Sequence, residues 1–496
     1  MSNSKNKQPQ DHTDYDGIDP MGFLLGCAKK GDRKKQSRPT ICKVSRVLRD
    51  HSEDSFNPQL VSIGPIHRED EKLKEFEWLK ESYLHDLLNR CDSTPEETLE
   101  ACLAMVKTLM DQIRESYGGM IEKYIDDEVA TMMVMDGCFI IEFFFKHENV
   151  DLHLPNKMQN LRIAMDLILL ENQVPFVVLQ ALFDCTMGEV FPITLNYILD
   201  LFLESYINIF GSCSLSPETT IHFDSDATHD HVLGYLHKRY QHVVSKPSNP
   251  IHAPKSKLVA AIHALKSKLV AAKSLNPIRA LISKLVDKKG SKNTHAEESK
   301  LVDEKGLENT FHSIVELDRY GMNFNPYQEG GWSMTIKFQS SLYACLPGFK
   351  PTLLMPTLVI QDFTQLILRN FIAYEQWFPK DHYYFTSYAY AMDMLIDTQE
   401  DIAKLVKSKV LVNMLGSNQE AADMINKICK NIYITKFYYT QEFNEIDKYY
   451  NSFWPKSIAR LRRIYYENPW KAIALLAAII LNALTVVQTV YTIMGK

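Results

Sequence analysis

The chain has 496 residues, 45% of them hydrophobic, 11% aromatic and 23% charged, which is the balance of a folded protein with ample chain for a core. A formal net charge of −6 excludes a global electrostatic attraction to nucleic acid, and no nucleic-acid partner is expected. Nine widely scattered cysteines without a CxxC pair exclude a disulfide framework and read as small hydrophobes of a reducing compartment.

In chain order, residues 1–39 are polar and poor in aromatics, with a basic knot at Lys29, Lys30, Arg33, Lys34 and Lys35; they read as a disordered arm. No apolar segment of a secretory signal peptide precedes the globular part. From residue 40 to 245 the pattern is globular. ICKVSRVLRD and PQLVSIGPIHR, broken by Asn57-Pro58 and Gly64-Pro65, read as extended pieces with turns. Thr94-Pro95-Glu96-Glu97 is a capping box with Pro at the first helical position. Behind it Leu99, Cys102, Leu103, Val106, Leu109, Met110 and Ile113 share one helical face.

TMMVMDGCFIIEFFF and DLILLENQVPFVVLQALF are strongly apolar but carry Asp136, Glu142, Asp166 and Glu171. A carboxylate at mid-membrane costs about 3 kcal/mol, so both read as buried helices of a soluble body, with Pro175 ending or kinking the second near Gln173.

Residues 246–306 differ in kind. Ser-Lys-Leu-Val recurs at 256–259, 267–270, 283–286 and 299–302, and residues 246–292 hold eleven Lys or Arg against the single acidic Asp287. This is a duplicated, disordered or loosely helical insert, and its charge is compatible with an anionic lipid surface. From 307 to 470 the globular pattern returns. WSMTIKF alternates like a strand, LPGFKPTLLMPTLVI suggests loops and short strands, and QLILRNFIAYEQWF and SYAYAMDMLIDTQEDIAKLV read as helices. Ser417 with Glu420 suggests a second capping box.

Residues 472–494 contain no charge, Pro or Gly. A helix of that length reaches about 35 Å, enough for a hydrocarbon core about 30 Å thick, and predicts a single membrane span over 471–495. Lys456, Arg460, Arg462, Arg463 and Lys471 before it, with Trp470 and Tyr491 near its ends, place the body in the cytosol and the tip outside or in a lumen. The absence of any N-x-[ST] sequon agrees with a cytosolic body. Asn482, Thr485 and Thr489 share a face of this helix, with Gln488 beside it, and could support self-association.

With these pieces placed, the chain resembles the plant proteins of domain of unknown function 247. The resemblance rests on PQLVSIGPIHR (58–68), MMVMDGCFIIEFF (132–144), DLILLENQVPFVVLQALF (166–183), LRNFIAYEQ (368–376) and SYAYAMDMLIDTQEDIAKL (387–405). LGSNQEAADMINKICK (415–430) and the NPW-then-apolar ending at 468–494 complete it. Such proteins have Tyr-His-His after Ile-Gly-Pro, where this chain has Ile66-His67-Arg68. The resemblance implies a mainly α body with minor β and a C-terminal span. Grass relatives implicated in self-incompatibility imply a recognition or signalling role.

Asp136, Glu142, Asp166, Glu171, Asn172, Gln173, Arg369, Asn370 and Glu375 are polar residues within apolar helices. They fit either a ligand pocket or a structural network in which Arg162 pairs with Asp166 and the amides satisfy carbonyls freed by Pro175; the network is favoured. His222, His229, His231, His237 and His242, with Asp224, Asp226 and Asp230, do not have a recognised metal-ligand spacing. With no phosphate-loop, nucleophile-elbow, zincin or dinucleotide motif, no catalytic, cofactor or metal residue is assigned and no enzyme is expected. The expected partners are membrane lipid and an unidentified protein, with an enzyme using the buried carboxylates and a lipid-surface adaptor as alternatives.

Overall fold

The computed structural model describes residues 38–148, 157–188, 194–207, 209–211, 229–241, 312–327, 334–340, 350–378, 383–453 and 469–494, with a few positions near 21–28 and 455–457. The chain divides into a unit of residues 1–243 with 311–496 and a unit of residues 244–310. The repeat insert expected at 246–306 and the polar arm at 1–37 lie almost wholly outside the described residues.

The described part is mainly helical with a few short strands. Its first half contains α1 (Glu77–Leu88), α2 (Pro95–Thr108), α3 (Met110–Tyr117), α4 (Asp126–Glu148), α5 (Lys157–Asp166), α6 (Phe176–Thr186), α7 (Leu195–Phe202) and α8 (Val232–Gln241). The second half contains α9 (Ile314–Arg319), α10 (Thr364–Trp377), α11 (Tyr384–Leu395), α12 (Gln399–Lys407), α13 (Asn418–Ile428), α14 (Thr440–Tyr450) and α15 (Pro469–Met494).

Helix α4 is the spine of the first half, packed by α1, α2, α6 and α7. Its first turn, Asp126, Asp127 and Glu128, places negative charge at the positive end of the helix dipole. Beyond it Phe139, Ile140, Ile141, Phe143 and Phe144 are buried. Gly137 permits the close approach of α6, since a Cβ there would stand 2.3 Å from Leu182 Cδ1.

The predicted capping box at Thr94 is formed in full, with Glu97 bonding back to the Thr94 N–H at 3.1 Å. The single helix expected behind it is interrupted at Leu109, where α2 gives way to α3, so its apolar face is carried by two helices. At the second expected box Ser417 Oγ accepts the Glu420 N–H at 3.1 Å, the hydroxyl half of the motif.

Two three-stranded sheets stand beside the second group of helices. In one, β5 (Thr357–Ile360) lies between β1 (Phe210–Gly211), antiparallel, and β6 (Leu411–Asn413), parallel. In the other, β4 (Thr352–Met355) lies between β2 (Asn323–Pro326), parallel, and β3 (Lys337–Gln339), antiparallel. Of the strand expected over 332–338, residues 337 and 338 lie in β3, 334–336 are not strand, and 332 and 333 lie outside the described residues. Pairing of Phe210 with Leu358 joins the two halves of the chain.

The predicted membrane segment forms one continuous helix, α15. Among the described residues, however, no helix is long and apolar enough to cross a membrane. Side chains at 469, 471, 472, 475, 476, 491, 493 and 494 lie outside the description.

Candidate functional site

Residues 58–64 belong to no helix or strand, so their peptide groups need other partners. Side chains supply them. Asp166, the last residue of α5, accepts the N–H groups of Gln59 (2.9 Å), Leu60 (2.7 Å) and Val61 (3.0 Å). Asn172 accepts the Ile63 N–H at 2.6 Å and donates to the Val61 carbonyl at 3.0 Å. Asp136, on α4, accepts the Gly64 N–H at 2.8 Å, and Lys80, on α1, donates to the Ser62 carbonyl. Unpaired buried peptide groups are costly, and here three carboxylate or amide side chains stand where a β-ladder would.

Asp166 and Asn172 stand at the start of, and within, the loop at 167–175 that follows α5. The apolar stretch that Pro175 was expected to end or kink is two helices: α5 stops at Asp166 and α6 starts after Pro175. Pro175 favours an extended residue before it and fits just ahead of a helix start. The carbonyls so freed are taken by amides. Gln173 Nε2 donates to Leu167 O (2.7 Å) and Leu169 O (2.9 Å), and Asn172 Nδ2 donates to Asp166 O at 3.0 Å. Arg162 does not form the expected ion pair with Asp166; its guanidinium lies over the Phe363 ring, 4.7 Å from the centroid.

From this loop bonds radiate to the rest of the molecule. Glu171 accepts the Val44 N–H at 2.5 Å and the Arg49 guanidinium. His67 Nε2 is 3.1 Å from Glu171 Oε2. The Leu170 N–H bonds Asn370 Oδ1 at 3.0 Å, and Asn370 Nδ2 bonds Ser55 O at 2.7 Å. Gln173 Oε1 accepts the Leu233 N–H at 3.2 Å, and its backbone carbonyl accepts the Tyr117 hydroxyl at 2.7 Å. Gly64 passes directly beneath that bond with φ +69, a conformation that side-chain-bearing residues rarely adopt.

The electrostatics separate the carboxylates. Burial pushes Asp166 up to about 6, against the three N–H groups that favour its charge. For Glu171 burial is outweighed by His67, the Val44 N–H and Arg49, and its pKa falls below the ordinary range. Lys80 is opposed by burial, but Asp136 at 2.7 Å and Glu77 hold it above the usual lysine value. Burial in turn pushes Asp136 up. We read this pair as ionised, because the ammonium has two carboxylates within 2.9 Å and the Gly64 N–H adds a donor to Asp136.

The remaining predicted residues lie elsewhere. Glu142 bonds Arg90 Nε at 3.1 Å. Glu375 joins His237 Nε2 (2.8 Å) to the start of α11, accepting the N–H groups of Phe385 (2.9 Å) and Thr386 (2.8 Å). Arg369 donates to Lys427 O at 2.8 Å, a cation at the carbonyl end of α13. His231 Nδ1 accepts the Gly234 N–H at 3.1 Å, and Asp230 accepts the Tyr374 hydroxyl at 2.6 Å. His229 packs between Phe176 and Tyr235, where burial lowers it to about 4. His222, His242, Asp224 and Asp226 lie outside the described residues. Sequence reasoning missed Lys80, Arg49, His67 and Tyr117, since none interrupts an apolar run.

The segments joined at this hub, 58–68, 132–144, 166–183 and 368–376, are four of the seven on which the resemblance rested. Residues 41–484 match the family described as plant protein of unknown function, DUF247. The chain belongs to that family. A putative UPF0481 protein of Arabidopsis thaliana is 24% identical over 90% of this chain and 89% of its own length. A second UPF0481 protein of the same plant is 25% identical over 89% of this chain and 83% of its own. No solved structure matches the chain.

Proposed function

We propose that this chain acts by binding, as an interaction or signalling component held at a membrane by its C-terminal helix with the body in the cytosol. The observation that carries the anchor is the character of α15. Its described apolar side chains, Ile479, Ile480, Leu481, Leu484, Val486, Val487 and Val490 among them, are 47–64% exposed. They surround a helix that carries no charged residue from 472 to 494. An apolar helix exposed on all faces is unfavourable in water and favourable in hydrocarbon.

The polar groups of α15 suit the same solvent. Asn482 bonds Ala478 O (2.9 Å), Thr485 bonds Leu481 O (2.8 Å), Thr489 bonds Thr485 O (2.7 Å) and Thr492 bonds Gln488 O (2.8 Å). Each donor is satisfied within its own helix, which lowers the cost of placing it in lipid.

Binding rather than catalysis is favoured by the polar interior, because the buried carboxylates direct their lone pairs at backbone N–H groups that need them. The surface offers Trp78 on α1 and Tyr433 before α14, both largely exposed, as contact groups for a protein partner. The test is a sequon-bearing tag appended after Lys496 and expression in plant cells. Glycosylation with resistance to carbonate extraction is expected; extraction of the protein by carbonate would overturn the anchor, and resistance without glycosylation would overturn the orientation.

A further inference from the structure

The link between α13 and α14, residues 429–439, belongs to no helix or strand, yet its backbone is braced at three points. Just past the end of α13, Asn431 takes the left-handed conformation, φ +61, and its side chain bonds His51 Nε2 at 2.6 Å. Gln376, near the end of α10, grips Tyr433 twice: its Nε2 donates to the Tyr433 carbonyl at 2.9 Å and its Oε1 accepts the Tyr433 N–H at 3.2 Å. Ser387 Oγ accepts the Tyr438 N–H at 3.1 Å. On this braced backbone one large ring is left outside. Tyr433 is 73% exposed, and among the described residues neither its ring nor its hydroxyl has a partner. Trp377, next to Gln376, has its indole N–H tied to the Pro39 carbonyl at 2.9 Å and is still 38% exposed. Rings on a fixed backbone lose little entropy on contact, which is what the anchors of a protein interface need.

Charge sets the sign of the partner. Residues 424–441 hold Lys427, Lys430 and Lys436 and no Asp or Glu, in a chain whose net charge is −6. The three lysines are exposed, and none forms an ion pair among the described residues. Asp393 of α11, half-buried, acts on Lys430 electrostatically without pairing with it. Cations left free beside exposed rings complement a negatively charged surface and steer its approach.

We propose that the Tyr433 face is a docking surface for an acidic segment of a partner protein, with Tyr433 and Trp377 as its ring contacts and Lys427, Lys430 and Lys436 as its charge contacts. This rests on the reading of the chain as a binding component, and gives that component a site and its partner a charge. A lipid surface is the poorer fit. A bilayer takes up rings in any orientation and gains nothing from a backbone braced at Asn431, Tyr433 and Tyr438, whereas a protein partner gains from each brace.

The full-length protein in detergent micelles tests this with a random glutamate–tyrosine copolymer as the acidic probe, binding being followed by fluorescence anisotropy and the footprint by hydrogen exchange. The expected result is binding that weakens with salt, protection centred on residues 429–438, and a loss of about tenfold or more in Tyr433→Ala and in the double variant Lys430→Glu, Lys436→Glu. Met158→Ala, an exposed site on α5, should bind as the unsubstituted chain does. Thermal midpoints confirm that the variants are folded. A footprint around Trp78, with Tyr433→Ala binding normally, would overturn this surface while leaving the chain a binding component. Capture of phosphatidylserine vesicles but not of the copolymer, lost in the same variants, would overturn the protein partner in favour of lipid. Binding of neither probe would overturn the proposal, and the anchor would still stand or fall by its own glycosylation test.

Discussion

The Asp166 carboxylate accepts the Val61 N–H at 3.0 Å across 105 residues of chain, and with it the two preceding peptide groups. One side chain thereby performs the work of a short stretch of sheet. Glu171, in the loop that follows, holds Val44 and Arg49 instead. Their titrations run in opposite senses, which makes them separable by experiment.

Asp166→Asn turns an amide NH2 toward backbone donors and leaves at least one of them unpaired, a loss of about 1–3 kcal/mol. Because the folded carboxyl holds its proton more tightly than the unfolded one, the stability it contributes is full below 3.8 and lost as pH rises through about 6. The stability difference between wild type and Asp166→Asn, from denaturant midpoints, should therefore shrink from pH 4 to pH 7. A difference that widens over that range would show the carboxylate to be favoured by the fold.

Glu171→Gln should behave in the mirror sense. Its lowered pKa gives a contribution present above the unfolded value and lost as pH falls through the folded one. Removing the charge strands Arg49 and costs about 3 kcal/mol, as for a broken, largely buried pair. The expected phenotype is faster proteolysis around residues 41–67 and lower abundance. Loss of biological function with unchanged midpoint and proteolysis would instead favour an enzyme.

Gly64→Ala should cost about 2 kcal/mol or more, since its Cβ would stand 2.7 Å from both Gln173 O and the Tyr117 hydroxyl at a positive φ. Gly416→Ala, which meets only the end of the Glu420 side chain, should stay within about 0.5 kcal/mol of wild type. Thermal midpoints of the two variants compare them directly.

Asn370→Ala removes both partners of a buried bridge, leaving the Leu170 N–H and the Ser55 carbonyl unpaired, at about 1–3 kcal/mol each. Hydrogen exchange at the Leu170 amide should accelerate while the amides of α2 remain protected. Unchanged exchange at Leu170 would mean another acceptor replaces Asn370.

Helices with clear ends were legible in the sequence: Thr94 and Glu97 announce α2 because capping is a local property. The segment at 58–64 was legible as lying outside the helices, but its carboxylate and amide partners were not, because they lie more than 70 residues away. Glu375 was legible only as a polar residue within an apolar helix; its carboxylate caps the next helix, taking the Phe385 N–H. The end or kink expected near Gln173 is a full end, already at Asp166, because Asn172 and Gln173 offer the freed carbonyls better partners than helix continuation does.

The bridge through Asn370 also sets an order of assembly during synthesis. Asp136, Asp166 and Asn172 are available to residues 59–64 once about the first third of the chain has emerged. The Ser55 carbonyl and the Leu170 N–H wait for residue 370, a separation of 315 residues in the first case and 200 in the second. Contacts of such span close slowly. The amino-terminal half is thus assembled around a loop with one seam still open, and the fold is sealed only when α10 is delivered.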